Sequence, residues 1–206
     1  MTDRLINLNR LASIYRPDSV AHMSESEPAP PAAFEPGKRR PATAQEAKAL
    51  GHPLRLRILR ECRLRELTNK ELADRLETSP GTVLYHVRQL LEAGLLTAAP
   101  VRTGSGGALE KPYRATAVTW WLDGPLADEE PIARAAPVQA FQDELAQAGP
   151  ESLRTYARFV LHLSEDQLQE LDRRILAILD EYVATDEERL DQPAYGGIFV
   201  LHRPAD

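Results

Sequence analysis

The chain of 206 residues is 43% hydrophobic and 27% charged, which is typical of a soluble globular protein with room for two modules. No apolar run approaches the roughly 20 residues of a membrane span, and the first residues lack the apolar stretch of a secretory signal, so we expect a cytoplasmic protein without membrane contact. The single cysteine, Cys62, excludes a disulfide framework, and the net charge of −6 excludes a chain that is basic throughout.

Residues 1–43 are predicted to form a disordered arm. The leucine spacing over residues 5–15 permits a short amphipathic helix, and either Met1 or Met23 can be the initiating residue. Residues 24–43 are rich in proline, alanine and charge, a composition that cannot bury enough apolar surface to fold alone.

Four short helices are predicted from Thr43 onward, because helix-starting and helix-ending residues recur at suitable spacing. Serine, threonine and proline favour the first turn of a helix, and glycine favours the position after its end. These signals are Thr43 with Glu46, Pro53, Thr68 with Glu71, Ser79 with Pro80, and Gly94. His52, just before Pro53, is expected to cap a helix or pack in the core.

Two strands are predicted after the last of these helices. Leu95–Val101 and Lys111–Thr116 flank a glycine-rich turn at 103–107 and together form a hairpin, despite Pro112 near the start of the second strand. Helix, helix, turn, helix and hairpin is the order of a winged helix-turn-helix, so residues 44–122 are predicted to be such a domain, which binds DNA.

The helix at residues 79–92 is predicted to enter the major groove. Val83, Val87 and Leu90 recur at helical spacing and form its buried stripe. The other side offers hydroxyl, ring and amide groups that hydrogen-bond base edges or phosphates. The predicted DNA-binding residues are Ser79, Thr82, Leu84, Tyr85, His86, Arg88 and Gln89 on the helix, with Arg102 and Lys111 on the wing at 101–112.

The charge distribution permits this prediction. Residues 44–116 carry 12 basic and 8 acidic side chains, whereas residues 117–206 carry 7 basic and 18 acidic ones. Association with phosphate depends on the local potential rather than on the molecular total. Taken alone, an excess of four positive charges is also within the range of ordinary surfaces.

The same region resembles the ArsR-like winged-helix regulators of bacteria. The matching stretches are LGHPLRLRIL at 50–59, LTNKELA at 67–73, SPGTVLYHVRQLLEAGLL at 79–96 and YRAT at 113–116. Between residues 50 and 116 the resemblance spans about a third of the chain. It implies a transcription regulator that binds a palindromic operator as a dimer, with residues 79–92 as the recognition helix.

Two residues depart from the pattern of these regulators. Leu84 stands where they often carry serine, which favours an apolar contact, for instance with thymine methyl groups. Glu77 stands in the tight turn where many helix-turn-helix sequences carry glycine.

Residues 123–206 are predicted to form an α+β module for dimerisation or ligand sensing, which makes the fold mainly α with a small β wing. A helix is expected within 132–148, with a late start because of Pro137, and strands are expected at Thr155–Leu163 and Ile198–His202. This unit also offers room for an unidentified small-molecule effector.

A helix is predicted over residues 164–183, where apolar side chains step by three and four. That spacing is typical of a heptad seam, although the run is short for a coiled coil. We favour a homodimer through this helix, because a reader of palindromes gains affinity and spacing from a partner. The alternative is that the helix packs on its own chain.

No catalytic residue, cofactor or metal site is predicted, because the motifs of hydrolases, nucleotide-binding proteins and metalloproteases are absent from the sequence. Cys62 is expected to be a packed core thiol, and His162 with His202 lacks the carboxylates of a zinc site. Trp120 and Trp121 are expected to anchor the junction between the halves. The main alternative function is a winged-helix module that holds another protein through the same face.

Overall fold

The computed structural model describes residues 38–204 except Ser105, Gly124, Pro125, Ala127 and Asp128. Residues 1–37 of the arm predicted over 1–43, including the possible amphipathic helix and Met23, lie outside the described residues.

Four helices follow one another as the capping residues predict. They are α1 (Ala44–Leu50), α2 (Pro53–Leu64), α3 (Asn69–Arg75) and α4 (Pro80–Glu92). Each is preceded by a residue whose side chain accepts a backbone N–H of the first turn, which satisfies a donor that the helix leaves unpaired. These capping residues are Thr43, His52, Thr68 and Ser79. The expected capping role of His52 is confirmed, since its Nδ1 accepts the N–H of Leu54 at 3.2 Å.

The turn between α3 and α4 contains a residue in the left-handed region. Glu77 has a φ of 52°, and the N–H of Thr78 closes the turn on the carbonyl of Ala73 at 3.0 Å. A left-handed conformation costs a side-chain-bearing residue roughly 1–2 kcal/mol, a penalty that glycine avoids. Glu77 therefore adopts the backbone conformation for which many helix-turn-helix sequences carry glycine in this turn.

The core lies among α2, α3 and α4. Ile58, Leu72 and Leu90 are fully buried there, as are Val83 and Val87 of the predicted inner stripe of α4. The predicted core position of Cys62 is confirmed: its thiol is fully buried, and burial raises its pKa to about 12.

The predicted wing is confirmed, with shorter strands than the sequence suggests. Strand β2 (Leu96–Ala98) pairs antiparallel with β5 (Tyr113–Ala115), and β3 (Arg102–Thr103) pairs with β4 (Leu109–Glu110) at the tip. The fully buried Pro112 separates β4 from β5 because proline has no N–H to donate to a ladder.

A third pair of strands connects the start of the domain to its end. Strand β1 (Arg40–Pro41) pairs in parallel with β6 (Leu122–Asp123), which follows a short 3-10 helix at Ala117–Trp121. Arg40 also reaches the buried carboxylate of Glu46 on α1, at 2.6 and 2.9 Å. Ordered backbone thus begins before Thr43, where the sequence places the end of the arm.

Two longer helices follow, α5 (Pro131–Ala148) and α6 (Glu165–Ala184). The expectation that Pro137 delays α5 is wrong, because the helix starts at Pro131 and contains Pro137. The N-terminal part of α5 packs closely on the domain: a Cβ added to Gly51 would lie 2.8 Å from the Cβ of Ala133, and Ala136 is fully buried. Tertiary packing thus outweighs the local effect of the proline.

The two strands predicted near the C-terminus are not formed. Residues 154–163 and 193–204 have no regular secondary structure, and none of their backbone N–H groups donates to another described backbone group. Alternating hydrophobicity indicates which side of a strand is buried, but a strand exists only where a second strand accepts its hydrogen bonds. The prediction was wrong because the described part of the chain supplies no such partner.

None of the described helices is both long enough and apolar enough to cross a bilayer. Within the same residues, no group of three or more histidine, cysteine or acidic side chains is arranged to hold a metal ion.

We expect Leu90→Ala to lower the free energy of unfolding by about 2–5 kcal/mol, because it leaves a cavity at the centre of the core. Leu109→Ala at the 78% exposed tip of the wing is the matched control and should change that free energy by less than about 0.5 kcal/mol. Urea denaturation followed by circular dichroism measures both. Equal effects of the two substitutions would contradict the described core.

Candidate nucleic-acid interface

The outer face of α4 combines exposed polar groups with a cation. Thr82, Tyr85 and Arg88 are exposed, and Tyr85 retains 59% of its accessible surface. Arg88 forms no ion pair with any described residue. These side chains are held by a helix whose opposite side is fully buried, so the face is presented on a rigid support.

Ser79 marks the exposed N-terminal end of this helix. Its hydroxyl accepts the N–H of Thr82 at 3.1 Å and lies 2.8 Å from the Thr82 hydroxyl. Asn69 at the start of α3 donates to the carbonyl of Pro80 at 2.9 Å, which brings the starts of the two helices together. Helix N-terminal ends favour anions such as phosphate.

His86 does not lie on the outer face, contrary to the sequence prediction. Only 6% of it is exposed, and its ring centroid lies 4.5 Å from that of His52 and 5.1 Å from that of Tyr85. On a helix, position 86 is about 60° from Val83 and about 40° from Leu90, so it borders the buried stripe. The sequence prediction grouped His86 with Thr82 by their four-residue spacing. That spacing does not distinguish a residue beside the buried stripe from one on the outer face.

Two further predicted residues, Leu84 and Gln89, are half-buried at the flanks of the outer face. The side-chain oxygen of Gln89 accepts a hydrogen bond from Arg55 at 2.8 Å. The amide oxygen of Gln89 is therefore bound to the buried Arg55. Leu84 is an apolar side chain next to Tyr85 in the sequence.

Arg55 is a buried residue of this site that the sequence prediction did not include. It is 7% exposed, donates to the carbonyls of Lys48 and Ala49 at the end of α1, and reaches both Gln89 and the Nδ1 of His86 on α4. A signal was present in the sequence, since Ile58 and Leu59 follow at the three- and four-residue spacing that puts Arg55 on the inner side of α2.

The environment of Arg55 keeps the neighbouring imidazoles neutral. Burial, together with the adjacent His52 and Arg55, lowers the pKa of His86 to about 4. The pKa of His52 is also lowered, chiefly by burial and then by the charge of Arg55. A neutral His86 has one ring nitrogen without a proton, and Nδ1 at 3.5 Å is placed to accept from the guanidinium.

The wing carries three exposed cations, of which one is ion-paired and two are not. Arg102 is paired with Glu71 at 2.7 Å and with Glu110 at 3.1 Å, so its charge is largely compensated within the chain. Lys111, by contrast, has no ion pair among the described residues, and neither has Arg114. The sequence prediction did not include Arg114, although its place between half-buried Tyr113 and buried Ala115 in a short strand indicates an exposed side chain.

Three of the four arginines of α2 are compensated by the acidic C-terminal half. Arg57 lies 3.9 Å from Asp143, Arg60 lies 3.1 Å from Glu144 and Arg63 lies 2.9 Å from Asp186. The acidic half thus covers the α2 side of the domain. Uncompensated positive charge remains on α4 and on the wing, where it favours a polyanion.

The helix pair α3–α4, its tight turn and the hairpin that follows define a winged helix-turn-helix domain. Residues 50–98, from the end of α1 to the end of β2, match the family model of a helix-turn-helix domain. This match agrees with the resemblance to ArsR-like winged-helix regulators, and domains of this kind are typical of DNA-binding regulators. No curated protein matches the chain.

We expect the protein to lose stability as the pH falls from 6.5 towards 4. The unfolded chain binds a proton at His86 near its ordinary pKa of 6.5, whereas the folded chain binds it only near pH 4, so acid favours unfolding. His86 alone should lower the free energy of unfolding by roughly 1.4 kcal/mol per pH unit in the lower part of this range.

Urea denaturation at a series of pH values between 6.5 and 4.5 measures this slope. The control is His86→Gln, which keeps an acceptor near Arg55 but cannot titrate; it should reduce the slope by about one proton and leave the part due to His52. Equal slopes for the two proteins would contradict a buried, neutral His86.

Proposed function

We propose that the protein is a transcription regulator that binds double-stranded DNA in a sequence-specific manner. In this proposal α4 enters the major groove and the wing at 101–112 lies on the backbone or in the minor groove. The observation that carries it is the outer face of α4: Thr82, Tyr85 and Arg88 are exposed on a rigid helix. The arginines Arg57, Arg60 and Arg63 of α2 are, by contrast, neutralised by the acidic half.

The residues of α4 divide into those that contact DNA and those that position them. Thr82 and Tyr85 contact base edges, Leu84 contacts thymine methyl groups, and Arg88 binds a phosphate or a base edge. The start of the helix at Ser79 faces a phosphate. His86 is a positioning residue, because its buried ring cannot reach a groove.

In this proposal Gln89 contacts both Arg55 and DNA. Its oxygen is engaged by Arg55, which fixes the side chain, and the remaining amide group is left for a base or a phosphate at the edge of the interface. Arg55 positions the helix through this contact and through His86, without touching DNA itself.

The wing cations contribute unequally. Lys111 and Arg114 bind phosphate directly, since no intramolecular carboxylate has to be displaced. Arg102 must exchange its contacts with Glu71 and Glu110 for a phosphate, so its net contribution to affinity is smaller. Hydrogen bonds from exposed cations to phosphate add affinity that depends on salt and little on sequence.

We further propose that the regulator is a homodimer on a palindromic operator and acts as a repressor by occupying it. Two copies related by a two-fold axis place two recognition helices one turn of DNA apart, which multiplies affinity and fixes half-site spacing. The helix α6 is the dimer element in this proposal, because its apolar residues Ile178 and Tyr182 remain exposed. A small-molecule effector bound to the C-terminal half would regulate operator binding.

Selection of bound sequences from random double-stranded DNA tests this function. We expect a palindrome to emerge, and we expect Thr82→Ala and Tyr85→Ala each to weaken binding to it by about 1–3 kcal/mol with relaxed preference at one position per half-site. Failure to enrich any sequence would reject specific readout and would favour a winged-helix domain that holds a protein partner through this face.

Salt dependence separates a phosphate contact from a base contact at Arg88. If Arg88 binds phosphate, Arg88→Ala should reduce the slope of log affinity against log salt by about one and weaken all sequences alike. Arg134→Ala on α5 removes the same exposed charge away from the interface and is the control; it should leave the slope unchanged. Fluorescence anisotropy between 50 and 200 mM salt covers roughly the informative range. An unchanged slope together with lost sequence preference would assign Arg88 to a base instead.

A further inference from the structure

We propose that residues 154–163 and 197–203 form β-strands with the same segments of a second copy of this chain, completing an intermolecular sheet that covers α6. The inference rests on the dimer of the proposed function, and it adds the segments that build the interface and the backbone pairing that holds it.

The backbone N–H groups of these segments are available to a partner strand. The N–H groups of residues 154–163 donate to no described backbone group, and the same is true of residues 197–203. Runs of unpaired backbone groups with alternating apolar side chains are templates for pairing with another strand. Within the described chain neither segment joins a sheet, since the six strands pair only with one another.

The side chains of residues 154–163 are unusually apolar for a solvent-exposed segment. Tyr156 and Val160 are 78% and 75% exposed, and Phe159 and Leu161 retain about half of their surface. In an extended segment Tyr156 and Val160 lie on one face and Phe159 and Leu161 on the other, so packing against one surface cannot bury all four. Contiguous apolar exposure of this kind marks an interaction surface.

The helix α6 adds an apolar groove to this surface. Leu161 and Leu163 face Leu171, Ile175 and Ile178 across a cavity of about 550 Å³ that opens to solvent. Its volume is sufficient for several apolar side chains of a docked strand.

The contacts that anchor α6 leave its apolar face directed away from its own chain. Asp180, on the inward side of α6, accepts hydrogen bonds from Arg39 at 2.7 Å and from the Trp120 indole at 2.6 Å. Ile178 and Tyr182 are two residues away on either side and therefore lie about 160° around the helix from Asp180. The apolar face of α6 is directed away from the part of the chain that anchors it.

Charge complementarity favours a second copy as the occupant. Residues 154–163 contain Arg154 and Arg158 and no acidic residue, whereas residues 164–191 carry 10 acidic and 3 basic side chains. A two-fold symmetric interface requires that one surface carry both a basic and an acidic region. The C-terminal residues 154–191 carry both. The basic segment of each copy lies on the acidic helix module of the other.

The test uses the full chain and two substitutions at one position. Val160→Pro removes a backbone donor that has no partner in the described chain, so the winged-helix domain should fold normally, whereas Val160→Thr keeps the donor and a β-branched side chain. We expect the wild type and Val160→Thr to have twice the chain mass of 22.9 kDa by light scattering, and Val160→Pro to be a monomer.

Hydrogen–deuterium exchange supplies an independent readout. In the wild type, amides of residues 154–163 and 197–203 should exchange about tenfold or more slowly at concentrations where the dimer forms than at dilution, and in Val160→Pro they should exchange fast at both. A wild-type monomer, a dimeric Val160→Pro, or fast exchange of these amides in the dimer would each overturn the inference.

The same samples distinguish this inference from the proposed function. A dimer with protected segments that enriches no DNA sequence supports the interface and rejects the regulator. A wild-type monomer that still binds a half-site through α4 supports DNA recognition and rejects the interface.

Discussion

Arg55 donates hydrogen bonds to two carbonyls at the end of α1 and, from the same guanidinium, to Gln89 on α4. A buried charge is tolerated only when its donors are satisfied, so the positions of α1, α2 and α4 are coupled through one side chain. His86 is part of the same cluster, and its neutral ring avoids adding a second charge beside the first. The orientation of the outer face of α4 thus depends on a polar contact beneath it as well as on apolar packing.

A division of charge organises the surface above this core. The acidic half binds three arginines of α2, and the α4 and wing cations Arg88, Lys111 and Arg114 form no ion pair in the described chain. The total charge of −6 therefore gives no measure of the potential at the proposed interface. These unpaired cations lie on α4 and the wing, which are the elements of the proposed interface.

Much of the winged-helix domain could be predicted from sequence, because caps, apolar periodicity and turn residues are local signals. Thr43, Thr68 and Ser79 begin the helices as expected, and Glu77 adopts the conformation that its glycine-like position requires. The site was less predictable: spacing alone could not separate buried His86 from the outer face, and the contacts of Arg55 join residues over thirty positions apart. The C-terminal strands failed as predictions because strand formation depends on a partner that local pattern does not contain.

The attachment of α6 through Asp180 has a mechanical consequence for a dimer. One carboxylate receives the guanidinium of Arg39 and the indole of Trp120, and the same guanidinium stacks 5.1 Å from that ring. In the proposed assembly the two winged-helix domains extend from one shared dimer interface. The contacts of Asp180 with Arg39 and Trp120 set the angle between each domain and that interface. A small rotation there would change the distance between the two tips relative to the helical pitch of DNA, so the permitted operator spacing is determined far from any nucleotide.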